Sequence, residues 1–115
     1  MISSELLRKV TILQALTDDE LTILRGYLSE LHLSADDEVF HQGDDGRDLY
    51  IVGDGTISIR VKATDGSNID VAELGPGDFF GEMAIFEDAP RSATCVMPGG
   101  GTLYRLHKDD FFSLM

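Results

Sequence analysis

The chain has 115 residues, 43% of them hydrophobic and 26% charged, the mix of one ordinary globular domain that needs no metal or disulfide staple. No stretch approaches the roughly 18 consecutive apolar residues of a membrane span, and the start Met1-Ile-Ser-Ser-Glu5 has no basic segment leading into an apolar run, so no secretory signal is expected. With 9 basic against 21 acidic residues, a net charge of −12, the domain has no cationic footprint for nucleic acid or an anionic membrane surface.

The first 29 residues read as a helical annex. Residues 4–10 are a short helix candidate, joined through Ile12, Leu13 and Leu16 to a second helix. Thr17-Asp-Asp-Glu20 is a capping box, in which the Thr hydroxyl and the Glu carboxylate each satisfy a free amide at a helix start. Leu21, Leu24 and Leu28 then recur at helical spacing, with Ile23 and Tyr27 widening the stripe.

From about Glu30 the period falls to two. Residues 56–62 alternate, placing Ile57, Ile59 and Val61 on one face. Ile69 and Val71 continue the alternation, but Ala72 and Leu74 are out of phase, which predicts a bulge or a strand end. Further short strands are expected at 31–34, 38–41, 49–52, 92–97 and 103–106. Between them lie turns rich in Asp-Gly and Gly-Pro. Seven or eight strands spaced this way predict a mainly β fold, an eight-stranded antiparallel jelly-roll barrel over 30–107. Residues 108–115 read as the start of a C-terminal helix that runs into the chain end, so we expect a piece of a longer protein. The single cysteine, Cys95, sits in a strand-like run as a small buried hydrophobe, and one cysteine fits a reducing, cytoplasmic setting.

Residues 75–96 interrupt the strands. Gly81 ends one, Glu82-Met-Ala-Ile-Phe86 has helix formers for a turn or two, and Pro90 bars continuation. A short helix start offers free amides to an anion, Gly81 lets a ligand approach the backbone, and the fork of Arg91 suits a phosphate. Glu82, an acceptor, needs a neutral hydroxyl beside that phosphate. Phosphate and hydroxyl together suggest a nucleotide ribose, although a surface helix with a solitary arginine fits the same spacing.

Phe80-Gly-Glu-Met-Ala-Ile85 followed by Ala89-Pro-Arg-Ser-Ala-Thr94 resembles the phosphate-binding cassette of the cyclic nucleotide-binding domain family. Phe40-His-Gln-Gly43, Leu49-Tyr-Ile-Val-Gly-Asp-Gly55 and Leu74-Gly-Pro-Gly-Asp78 are similar to its turns and strands. The resemblance implies a regulatory domain, not an enzyme, that binds cAMP or cGMP, with cAMP placed first, and signals to an effector domain in the same parent chain. It implies that Arg91 binds the exocyclic phosphate oxygens, that Glu82 accepts from the ribose 2′-hydroxyl, and that the amides of Met83, Ala84 and Ala93 complete the cradle beside Gly81. Ile59, Val71 and Ala72 correspond to the base side. Ser92 is compatible with either base. The family's following helices supply a lid, and two copies can pair through them.

Other chemistry has thin support. His32, His41 and His107 lack metal-ligand spacing, and no nucleophile elbow is present, so neither a metal nor a catalytic residue is expected. The alternative is a barrel of the same fold that has lost its ligand and docks a partner protein.

Overall fold

The computed structural model describes residues 2–82 and 90–114. Helix α1 (Ser4–Lys9) leads through a 3-10 turn (Thr11–Leu13) to α2 (Asp18–Tyr27). Eight strands follow: β1 (Ser29–Leu33), β2 (Asp37–Phe40), β3 (Asp48–Asp54), β4 (Ile57–Lys62), β5 (Asn68–Leu74), β6 (Phe79–Phe80), β7 (Thr94–Met97) and β8 (Gly101–His107). Helix α3 (Lys108–Ser113) begins directly after β8.

The strands are antiparallel and form two four-stranded sheets, ordered β1-β8-β3-β6 and β2-β7-β4-β5. The jelly-roll expectation holds, with one refinement. The two sheets face each other without closing by hydrogen bonds, so the architecture is a sandwich and "barrel" describes it only loosely.

Leu49-Tyr-Ile-Val52 in β3 is buried on both faces. Tyr50 and Val52 point between the sheets and join Ile57, Phe80, Cys95, Met97 and Leu103 in one core. Leu49 and Ile51 point the other way, with Tyr104 and Leu106 of β8, onto Leu7, Val10, Leu13, Leu24 and Phe111. The helices therefore form a third layer on the outer face of the first sheet, because a strand apolar on both faces needs a cover on each.

The capping box of α2 is present: Glu20 N donates to Thr17 Oγ1 at 3.2 Å and Thr17 N donates to Glu20 Oε1 at 2.9 Å. Leu24 is buried and Leu21 and Leu28 pack beside it, but Ile23 and Tyr27 lie outside the stripe, exposed on the helix's free side. The bulge expected near Val71 occurs there. Ile59 pairs with Ala72 and Arg60 with Asp70, leaving Val71 as the extra residue. Of the insert between β6 and β7, residues 83–89 lie outside the described ones, and with them most of the short helix expected over 82–86.

Candidate functional site

The site grows from one row of residues across the second sheet. Phe40 of β2 pairs with Cys95 of β7, Cys95 with Ile59 of β4, and Ile59 with Ala72 of β5. Direct antiparallel partners share a face, so these side chains line up side by side. Phe80, at the end of β6 on the facing sheet, closes over the row. Phe40, Cys95, Ile59 and Phe80 line a cleft of about 130 Å³ with Gly81, Glu82, Pro90, Arg91, Ser92 and Ala93.

Arg91 is the cation among the described residues lining this cleft, and it is only 6% exposed. Its backbone is stitched to the loop after β2: Arg91 N donates to Asp44 O at 2.7 Å, and Gly43 N donates to Arg91 O at 2.8 Å. That loop is held by its own turn, in which His41 N donates to the Asp44 carboxylate at 2.9 Å. The guanidinium donates from Nη1 to Gly81 O at 3.1 Å and from Nη2 to Asp48 O at 2.9 Å. Its Nε is buried with no hydrogen-bond partner. The Cζ atom lies 4.1 Å from the centroid of the Phe40 ring and 5.9 Å from that of Tyr50.

Two glycines make this packing feasible. A Cβ on Gly46 would fall against Nε, Cζ and Nη2 of Arg91. Gly81 has φ +84°, and a Cβ there would sit 2.7 Å from Nη1 and 3.0 Å from Asp48 O. Backbone thus approaches the cation where no side chain fits.

No carboxylate among the described residues forms an ion pair with Arg91. A buried cation normally takes one, because its desolvation costs several kcal/mol. Here two carbonyl dipoles and two ring faces stabilise the charge, and none of them neutralises it. The net charge stays available to an anion, and the orphaned Nε is a donor still to be satisfied.

Burial pushes the Cys95 thiol up to about 12; nearby Arg91 opposes the shift and Glu82 adds to it. Burial also raises the Tyr50 phenol, assisted by Asp48.

Of the residues singled out in the sequence, Gly81, Glu82, Arg91, Ser92, Ala93 and Ile59 meet at the cleft. Val71 and Ala72 do not line it. Both are exposed on the edge strand β5, Ala72 at the open end of the row and Val71 on the bulge. Met83 and Ala84 lie outside the described residues. Arg91 is buried, not at the surface as a solitary arginine on a surface helix would be: its backbone N and O are tied into the β2 loop and its head into the interior. Phe40, Phe80 and Cys95 read in the sequence as packing or motif residues, and only the strand pairing reveals them as lining. His32, His41 and His107 stay apart, each hydrogen-bonded within its own neighbourhood. The described residues contain no cluster able to hold a metal ion.

The described residues thus form an antiparallel sandwich with a cleft at one end and a buried arginine that no described carboxylate neutralises. A family model for the cyclic nucleotide-binding domain matches residues 30–115, and the chain belongs to that family, whose members are regulatory ligand-binding domains. It is 32% identical over 96 residues to the cAMP-dependent protein kinase type II regulatory subunit of Drosophila melanogaster, covering 84% of this chain and 25% of that protein. It is 29% identical over 104 residues to the cyclic AMP receptor protein of Thermus thermophilus, covering 90% of this chain and 48% of that one. The regulatory domain of Toxoplasma gondii PKA, solved with cAMP, superposes with a TM-score of 0.91 at 32% identity, over 96% of this chain and 42% of that one. The chain thus spans about half or less of the length of these three relatives. No described helix is long and apolar enough to cross a membrane.

Proposed function

We propose that the domain binds a 3′,5′-cyclic nucleotide, cAMP in preference to cGMP, in the cleft beside Arg91, and reports occupancy to an effector region of the same parent protein. The observation that carries this reading is the buried guanidinium with an unpartnered Nε and no described carboxylate ion-paired with it. A cyclic phosphodiester carries one negative charge and presents two exocyclic oxygens, which match an arginine fork. Glu82, half-buried at the cleft, takes the ribose 2′-hydroxyl, and the amides of Met83, Ala84 and Ala93 complete the phosphate cradle. The base lies toward Ile59, with Ala72 and Val71 at the open edge of the same sheet and Ser92 compatible with either base. The placing of cAMP first is supported by the relatives, both named for cAMP.

Signalling follows as a population shift. The nucleotide favours whichever arrangement of the insert and the helix after β8 binds it better, and only that difference in affinity moves the equilibrium. A homodimer through segments after residue 115 fits the same scheme.

Calorimetric titration with cAMP and cGMP tests the reading. Saturable binding, tighter for cAMP and weakened about a hundredfold or more by Arg91→Ala, is the expected result, the order of losing charge-assisted bonds to a desolvated anion. A folded domain that binds neither nucleotide, here and when extended through its next two helices, is instead a docking module of the same fold.

A further inference from the structure

We propose that Phe40 is a positioning residue for nucleotide binding: its ring is the platform that holds the Arg91 guanidinium in the cleft as a buried cation with its charge uncancelled. The proposal rests on the nucleotide reading above and adds to it what orients the arginine.

Three observations converge on Phe40. Its ring centroid lies 4.1 Å from Arg91 Cζ, nearer than the Tyr50 ring at 5.9 Å. The ring is itself fixed, with Tyr50 and Phe80 each 5.9 Å away and those two rings stacked at 5.2 Å and 17°. Third, the strand is re-registered to bring Phe40 to this place. Glu38 pairs with Val96 but Phe40 pairs with Cys95, so Val39 is an extra residue. Without that bulge Val39 would oppose Cys95, and Phe40 would oppose Thr94 on the opposite face of the sheet. A bulge beside a site commonly re-aims a side chain, and here it turns an aromatic ring under the guanidinium.

The chemistry explains why a ring serves better than a carboxylate. The chain has 21 acidic residues, yet no described one pairs with Arg91. A carboxylate would occupy the fork and cancel the charge that an incoming phosphate must meet. A π face attracts the cation through its quadrupole and contributes no net charge. A ring against the guanidinium takes none of its N–H donors, so the unpartnered Nε is still to be satisfied.

The test compares Phe40→Leu and Phe40→Met with Phe40→Tyr in cAMP titrations of the whole chain, with thermal melts confirming that each is folded. Loss of one desolvated cation–π contact predicts about tenfold weaker binding for the Leu and Met variants. The Tyr variant, which keeps the face, should stay within about threefold of wild type. In an Arg91→Gln background, read by NMR titration so that weak binding is measurable, Phe40→Leu should add less than about twofold, since the pair acts as one unit. Leu and Met variants that bind like wild type overturn the proposal, as does a Tyr variant as weak as Leu, or the full loss persisting without the arginine. Failure of the wild type to bind cAMP, both as this chain and in a longer form of the protein, would instead overturn the nucleotide reading, so the two failures are distinguishable.

Discussion

Arg91 and Cys95 lie on the same cleft and show how one environment acts on opposite chemistries. Burial disfavours a thiolate as it disfavours a guanidinium, but only the thiol can escape by staying neutral. The folded Cys95 thiol titrates near 12 against an ordinary 9.0. Its native form is therefore neutral at every physiological pH and a poor nucleophile. The unfolded thiol ionises first, so the contribution of the buried thiol to stability is complete below pH 9.0 and is lost as pH rises toward about 12. Tyr50, raised by burial, shifts in the same direction. Melting temperature should accordingly fall steeply above pH 9, and Cys95→Ala should make that fall shallower. Alkylation of the folded protein at pH 8 should track its opening rate; rapid labelling without opening would contradict the buried, neutral thiol.

Among the elements, α2 offers a clean test of local logic. Its capping box satisfies two amides at the helix start, and the helix delivers Leu24 to the outer core. Thr17→Ala should cost about 1 kcal/mol, a drop of several degrees in melting temperature for a domain of this size, with cAMP affinity unchanged because α2 does not touch the cleft. The cap was readable from four residues because its chemistry is local. The β5 bulge was readable too, as a break of phase between Val71 and Ala72, since the pleat repeats every two residues. The β2 bulge was not. Val39 and Phe40 are both apolar, so slipping the register by one leaves the hydrophobic pattern intact, and only the pairing with β7 reveals it. The same distinction applies to the site. Gly81, Glu82 and Arg91 suggest an anion site by type and spacing, and the fold brings all three to one cleft. The burial of Arg91 depends on Asp44, Asp48 and Gly46, more than 40 residues earlier in the chain, where no local pattern points to it. Two sheets that face without closing, as against a barrel, follow likewise from long-range pairing rather than from strand count.

At the scale of the whole molecule, three layers leave the cleft at one end of the second sheet, where the β2 loop, the end of β6 and the segment at Arg91 converge. The chain's charge of −12 opposes an approaching anion, so binding rests on donors at close range. Arg91 is the group whose burial works against stability in the ligand-free state. Two carbonyl bonds and two ring faces only partly offset its desolvation, which costs several kcal/mol. The central claim is that this arginine is kept for an anionic ligand. The most direct measurement is the melting temperature of wild type and Arg91→Met, each with and without cAMP. The wild type should gain about 10 °C at a nucleotide concentration a hundredfold above Kd, while Arg91→Met melts at the same temperature or higher without ligand and gains nothing with it. A cAMP-induced rise that survives in Arg91→Met, or a ligand-free variant that melts about 10 °C or more below wild type, roughly the loss of 2 kcal/mol, would contradict the account.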